Sequence, residues 1–98
     1  EVSSNFNCSN CDSLTSLEGA PKVVGENFRC NDCKLLTSLK GAPEKVGGNF
    51  IFFDCNSLKS LEGAPKEVGG DFLCMNCGIK FTTDDVEKVS NIKGTIEV

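Results

Sequence analysis

Apolar residues recur along this chain in columns that are spaced 22 residues apart. Shifted by that period, the segments 5–26, 27–48, 49–70 and 71–77 align without gaps. The columns are Phe6, Phe28, Phe50 and Phe72; Leu14, Leu36 and Leu58; Leu17, Leu39 and Leu61; and Val24, Val46 and Val68. A period of about 20 to 30 residues is typical of a solenoid, in which each unit buries its apolar face against its neighbours.

Each repeat begins with Phe-x-Cys, which alternates with period two. This alternation predicts a short strand with the Phe and the first Cys on one face. A glycine pair such as Gly47-Gly48 precedes the strand and predicts a turn into it. Strands that recur once per coil pair in parallel, so we expect a narrow parallel sheet down one side. The Gly-Ala-Pro segment disfavours helix, so the return path should consist of turns or a short 3₁₀ piece.

The repeated pattern stops at Gly78, and segment 78–98 predicts a C-terminal cap. Thr83, followed by acidic residues, predicts the N-cap of a short helix at about 83–90. Val86 and Val89 should face inward on this helix, and Asn91 should end it. The alternation in 94–98 predicts a last strand that carries Ile96 and Val98. The fold prediction for 1–98 is therefore one mainly β solenoid domain with little helix outside the cap.

The repeat resembles the leucine-rich repeat, whose strand segment is L-x-x-L-x-L-x-x-N/C-x-L. In residues 27–48, Phe28 and Cys30 take the two strand leucines and Cys33 takes the Asn-or-Cys position. The resemblance covers 5–77 and is nearest to short bacterial and bacteriophage members. It departs at the next leucine, which follows Cys33 by three residues instead of two. The resemblance implies a right-handed coil, protein binding on the sheet face, and the cytoplasm of a bacterium or phage-infected host.

The cysteines also match a metal-site spacing. Two CxxC pairs, Cys8 with Cys11 and Cys30 with Cys33, have 18 residues between them, as four-thiolate zinc sites do. The 22-residue repeat forces that spacing, and Phe52 occupies the column of Cys8 and Cys30. An interior column shared by Cys and Phe favours core packing. A zinc-stabilised structural domain using these four cysteines remains the alternative.

Composition narrows the partners and the chemistry. The formal net charge is −4 without a basic block, which argues against nucleic acid and anionic membranes. No run of about 18 apolar residues predicts a membrane span. The odd count of seven cysteines favours free thiols in a reducing cytoplasm. The chain has no histidine, and we expect neither catalysis nor a cofactor.

The outward strand positions predict a binding surface. In the first two repeats these positions are polar, including Arg29, whereas the next two carry Ile51, Phe53, Leu73 and Met75. An exposed apolar patch of this kind is typical of a contact site. We expect it to bind an unidentified protein partner or a second copy, unless the cap or a loop folds over it. The N-terminal strand at about 5–8 should also leave an open sheet edge, through which the chain could form a homodimer.

Overall fold

The computed structural model describes residues 2–8 and 13–98 and places their strands in two parallel sheets. The five-stranded sheet has the order β1-β3-β5-β7-β9 and the four-stranded sheet the order β2-β4-β6-β8. The first comprises β1 (Phe6–Asn7), β3 (Phe28–Arg29), β5 (Phe50–Phe53), β7 (Phe72–Met75) and β9 (Ile96–Glu97). The second comprises β2 (Val23–Val24), β4 (Lys45–Val46), β6 (Glu67–Val68) and β8 (Asn91–Ile92), and one helix, α1, spans Thr83–Glu87.

Parallel pairing at the repeat spacing confirms the predicted solenoid. Phe28 lies opposite Phe50, and Phe50 lies opposite Phe72. The second sheet was not predicted, because the sequence indicated strand alternation only at the Phe columns. Val24 pairs with Val46 in that sheet, and Val2 extends the pairing by a bridge to Val24. The coil is therefore flattened between two sheets.

The phenylalanine columns form the centre of the core. Phe28, Phe50 and Phe72 are fully buried. Consecutive rings in the column from Phe6 to Phe72 lie 5.2 to 5.3 Å apart between centroids. Phe52 joins this stack, with its ring centroid 4.8 Å from that of Phe50. Stacked and tilted rings at these separations are favourable beyond their area burial, so the core is a continuous aromatic column along the solenoid.

A ladder of side-chain hydrogen bonds, here called the asparagine ladder, also joins the coils through the residue before each Phe. The backbone N–H groups of Asn27, Asn49, Asp71 and Thr95 donate to Oδ1 of Asn5, Asn27, Asn49 and Asp71, at 3.0, 2.8, 2.8 and 2.8 Å respectively. Each side chain thus takes the place of a backbone acceptor for the N–H group that enters the next strand. The Asn column is visible in the repeat alignment, and its role emerges from the structure.

The repeated glycines serve two different purposes. Gly41 has a φ of +94°, a left-handed conformation that favours glycine. Gly47 has no such φ; a Cβ there would collide with the carbonyl oxygen of Gly25 in the preceding coil. The glycine pair predicted to form a turn therefore also permits the close approach of neighbouring coils.

The C-terminal helix differs from its prediction in its bounds and its inward face. Its N-cap is Thr82, not Thr83: Thr82 Oγ1 accepts from Asp85 N at 3.2 Å and Asp85 Oδ2 accepts from Thr82 N at 2.9 Å. This reciprocal pair is a capping box. Val86 is buried as predicted, whereas Val89 is 41% exposed, because the helix ends at Glu87 and Val89 lies beyond it.

The strands of the cap continue both sheets. Ile96 pairs with Phe72, which confirms the predicted last strand. Asn91, which was predicted to end the helix, instead begins β8, and Ile92 lies opposite Val68. Both pairings use a spacing of 24 residues, so the helical segment adds two residues to the coil. We number the coils 5–26, 27–48, 49–70 and 71–94 as first to fourth.

Candidate functional site

The candidate site is the outer face of the five-stranded sheet, the side away from the phenylalanine column. On β5 and β7, Ile51 lies opposite Leu73 and Phe53 lies opposite Met75. The alternation of a strand turns these side chains away from Phe50 and Phe52. None of the four belongs to the buried core cluster or to the residues packed against it. The structure thus brings the four predicted apolar residues together.

The four differ in accessibility. Met75 is 43% exposed, and Phe53 and Leu73 are half-buried. Ile51 is only 5% exposed, which corrects the expectation that all four are open to solvent. Period-two alternation assigns Ile51 to the outer face, but it does not report how much its neighbours cover it. The accessible apolar surface therefore consists mainly of Phe53, Leu73 and Met75.

Opposite charges flank this apolar surface. Arg29 on β3 is exposed and lies opposite Ile51. On the other side, Glu97 on β9 is exposed and lies opposite Leu73. Across the sheet the order is therefore Arg29, Ile51, Leu73, Glu97. The cap extends the face sideways through β9 and leaves Met75 open, in contrast to the alternative in which it folds over the patch.

The strand ends carry a column of left-handed residues. Asp32, Asp54 and Asn76 have φ values of 58°, 60° and 56°. Asp and Asn adopt this conformation more readily than other residues that carry a Cβ. The carboxylates of Asp32 and Asp54 are half-buried. Their positions are explained by the sharp bend that the second, third and fourth coils make after their strands.

In the second, third and fourth coils, the cysteine that closes the strand bonds to the preceding coil. Cys33 Sγ donates to the carbonyl oxygen of Cys8 at 3.2 Å, and Cys55 Sγ donates to that of Cys30 at 3.1 Å. Cys77 Sγ repeats the contact with the carbonyl oxygen of Phe52 at 3.7 Å. These bonds give the unbroken cysteine column a structural role, since the acceptor is a backbone carbonyl that does not depend on the residue type there.

Two cysteine pairs also meet within their own coils, and burial separates them. The Sγ atoms of Cys30 and Cys33 are 3.2 Å apart, and both residues are fully buried. The Sγ atoms of Cys74 and Cys77 are 3.1 Å apart; Cys74 is 3% exposed and Cys77 is half-buried. All four are free thiols.

The environments of the thiols shift their pKa values in different directions. Burial raises the pKa of Cys30, and it raises the pKa of Cys55 to about 12. The hydrogen bond between Cys74 and Cys77, together with burial, raises the pKa of Cys74. The same hydrogen bond, donated by Cys74, lowers the pKa of Cys77. Among these four thiols, Cys77 alone is shifted towards the thiolate.

The zinc alternative draws no support from the described part of the chain. Within 2–8 and 13–98, no three or more His, Cys, Asp or Glu side chains are grouped so that they could hold a metal ion. Cys8, Cys30 and Cys33 lie in this range, whereas Cys11 lies outside the described residues. The geometry of Cys33 is instead that of a donor to a backbone carbonyl.

A groove of about 280 Å³ opens beside the last cysteine pair. It is lined by Cys74, Met75, Asn76, Cys77, Ile79, Lys80, Phe81 and Val98.

The described residues include no helix that is long and apolar enough to span a membrane. Comparison of the chain with protein-family models, curated proteins and solved structures finds no match.

Proposed function

We propose that this chain is a non-catalytic protein-interaction module that binds through the outer face of its five-stranded sheet. The contact surface comprises Phe53, Leu73 and Met75, with the largely buried Ile51 beside Leu73 and Arg29 at one side. The observation that carries the proposal is the register of β5 and β7, which sets these apolar side chains side by side outside the core. Apolar groups clustered on a sheet face in this way are typical of protein contact sites.

The partner that fits this surface is a second copy of the chain. Strands lie about 4.8 Å apart, so Arg29 and Glu97 both lie about one and a half strand spacings from the midline between β5 and β7. When two copies pack face to face about a two-fold axis that runs along this midline, Ile51 of one copy lies against Leu73 of the other, and Phe53 of one lies against Met75 of the other. This packing also sets Arg29 of each copy against Glu97 of the other, so the face is self-complementary, as a two-fold interface requires.

The resemblance to leucine-rich repeats supports the same face, since that family binds proteins on its sheet. It also supplies the proposed setting, the cytoplasm of a bacterium or phage-infected host. Six described cysteines are free thiols, which agrees with a reducing compartment. The alternative homodimer through β1, which is the first strand in the order of the five-stranded sheet, would leave the apolar face unused, so we favour the face.

Charge reversal at the two flanks of the surface tests this pairing. Arg29→Glu and Glu97→Arg each set like charges against each other twice in the dimer, and each should weaken association on the order of tenfold. The double variant Arg29→Glu with Glu97→Arg restores opposite charges and should recover most of the affinity. Sedimentation equilibrium at low salt measures the dissociation constants, because screening weakens such pairs.

A second pair of variants tests the apolar part of the surface. Phe53→Ser with Met75→Ser should abolish association and leave the fold intact, since both side chains lie outside the core. Lys45→Ser with Glu67→Ser is the matched control, because both residues are exposed on the other sheet. Circular dichroism verifies that each variant is folded.

The outcomes distinguish an error in the proposed partner from an error in the proposed surface. A monomeric wild-type chain that captures another protein, and loses it only in the Phe53/Met75 variant, would replace the second copy by a different partner. Association that is unchanged in the Phe53/Met75 variant would refute the proposed surface.

A further inference from the structure

The Cys74–Cys77 pair is arranged differently from the cysteines that only hold coils together. Its Sγ atoms are 3.1 Å apart, and disulfide formation needs a separation of about 2.05 Å. An approach of about 1 Å is within the reach of side-chain rotation and a small backbone adjustment. The fourth coil therefore holds two thiols near bonding distance.

Access distinguishes this pair from Cys30–Cys33. Cys77 is half-buried and lines the groove of about 280 Å³, as does Cys74. Cys30 and Cys33 have no exposed surface. A small reagent therefore reaches the last pair in the folded protein, whereas reaching Cys30–Cys33 requires local opening of the solenoid.

The groove also has suitable chemistry at its rim. Lys80 lines it and is exposed, so the groove includes a positively charged residue that favours an anionic reagent. Asp54, whose charge opposes ionisation of Cys77, acts more weakly than the hydrogen bond from Cys74. The thiol with better access is thus also the one whose thiolate is favoured, and thiolates are the reactive form.

We propose that Cys74 and Cys77 form a dithiol site that is oxidised by small disulfides, with Cys77 as the attacking residue. The Cys77 thiolate attacks one sulfur of a disulfide RSSR, forms Cys77–S–S–R and releases RS⁻. Cys74 then loses its proton and attacks Cys77 Sγ, expelling the second RS⁻. The two protons from the cysteines end on the two RSH products, so the protein loses two hydrogen atoms and RSSR is reduced. This proposal does not rest on the proposed dimer, although Met75 of the contact surface also lines the groove.

The experiment exposes the reduced, folded chain to oxidised glutathione, followed by alkylation of the remaining thiols and cleavage after Lys and Arg. Cys74 and Cys77 then lie on peptide 67–80, whereas Cys30 and Cys33 lie on peptide 30–34. We expect peptide 67–80 to lose two hydrogens at least about tenfold faster than peptide 30–34. The buried Cys30–Cys33 pair thus serves as an internal control for the rate of oxidation.

Two variants assign the roles. Cys74→Ala should leave glutathione attached to Cys77, because the attacking residue remains while the second thiol is missing. The third coil carries Phe52 at the corresponding position, so this column tolerates a residue other than Cys. Cys77→Ser should prevent oxidation of peptide 67–80 altogether. Equal oxidation rates for the two peptides, or glutathione attached first to Cys74, would overturn the proposal.

Discussion

The second and fourth coils begin with nearly the same pattern, NFRCNDC and DFLCMNC, yet they present different surfaces. The second coil has Arg29 on its outer face and a fully buried cysteine pair. The fourth has Leu73 and Met75 on that face and a cysteine pair that lines a groove. The inner columns repeat because each coil packs against the next, whereas the outer positions and the end of the stack are free of that constraint. Chemistry in this solenoid therefore depends on the position of a coil in the stack.

The largest expected effect concerns the inner columns, where the two coils should behave alike. Phe28→Ala and Phe72→Ala each remove a fully buried ring and should destabilise the protein by about 3–5 kcal/mol. Ile96→Ala removes a smaller, half-buried side chain from the same column and should cost less. Urea unfolding followed by circular dichroism measures all three, and an equal cost for Ile96 would contradict the dependence on burial.

A smaller effect should distinguish the cysteines of the two coils. Cys33→Ala removes the closer thiol donor to the carbonyl of Cys8, leaves Cys30 Sγ at 3.7 Å from it, and opens a small cavity at a fully buried site, at a cost of about 1–3 kcal/mol. Cys77→Ala should cost less, because that thiol is half-buried and its bond to Phe52 is longer. Cys33→Ser keeps a donor and serves as the control. Urea unfolding measures the stability loss of each variant. A larger loss for Cys77→Ala than for Cys33→Ala would contradict the explanation by burial.

The smallest effect should be confined to the fourth coil. Thr82→Ala removes one half of the capping box and should lower the unfolding free energy by about 1 kcal/mol. Hydrogen exchange should show faster exchange in 82–90 while the second coil is unchanged. Equal acceleration in both coils would mean that the helix is not a local unit.

Acidification offers a second measurement of the same cap. The backbone N–H of Thr82 holds the pKa of Asp85 below its usual value. The ionised carboxylate of Asp85 therefore contributes to the free energy of unfolding above the usual Asp pKa of about 3.9. This contribution is lost as the pH falls through the lower pKa of the folded state. The stability difference between wild type and Asp85→Asn should disappear in that acidic range and persist at neutral pH.

The repeat period sufficed to predict the solenoid, and period-two alternation predicted the inward Phe columns and the last strand at Ile96. It did not reveal the second sheet, because two-residue strands such as Lys45–Val46 are too short to show alternation. The N-cap was assigned one residue late because Thr82 and Thr83 are adjacent, and only the reciprocal bond with Asp85 distinguishes them.

The sequence predicted which residues share the outer face, but it did not predict how exposed each of them is. Alternation assigned Ile51 and Leu73 to one face, and the strand register confirms that they are neighbours. The near-complete burial of Ile51 depends on the surrounding side chains, which a single strand pattern does not describe. The difference between the two cysteine pairs likewise depends on what covers each coil, not on CxxC itself.

The asparagine ladder bears on how such a molecule changes in length. Asn5 and Asn27 accept equivalent backbone N–H groups, one from Asn27 and the other from Asn49. If residues 27–48 were removed, the N–H of Asn49 would meet the side chain of Asn5, and a duplicated unit would supply its own acceptor. The three joints that have an asparagine acceptor are thus interchangeable, so the number of units can be altered by whole-repeat duplication or loss while both ends are preserved.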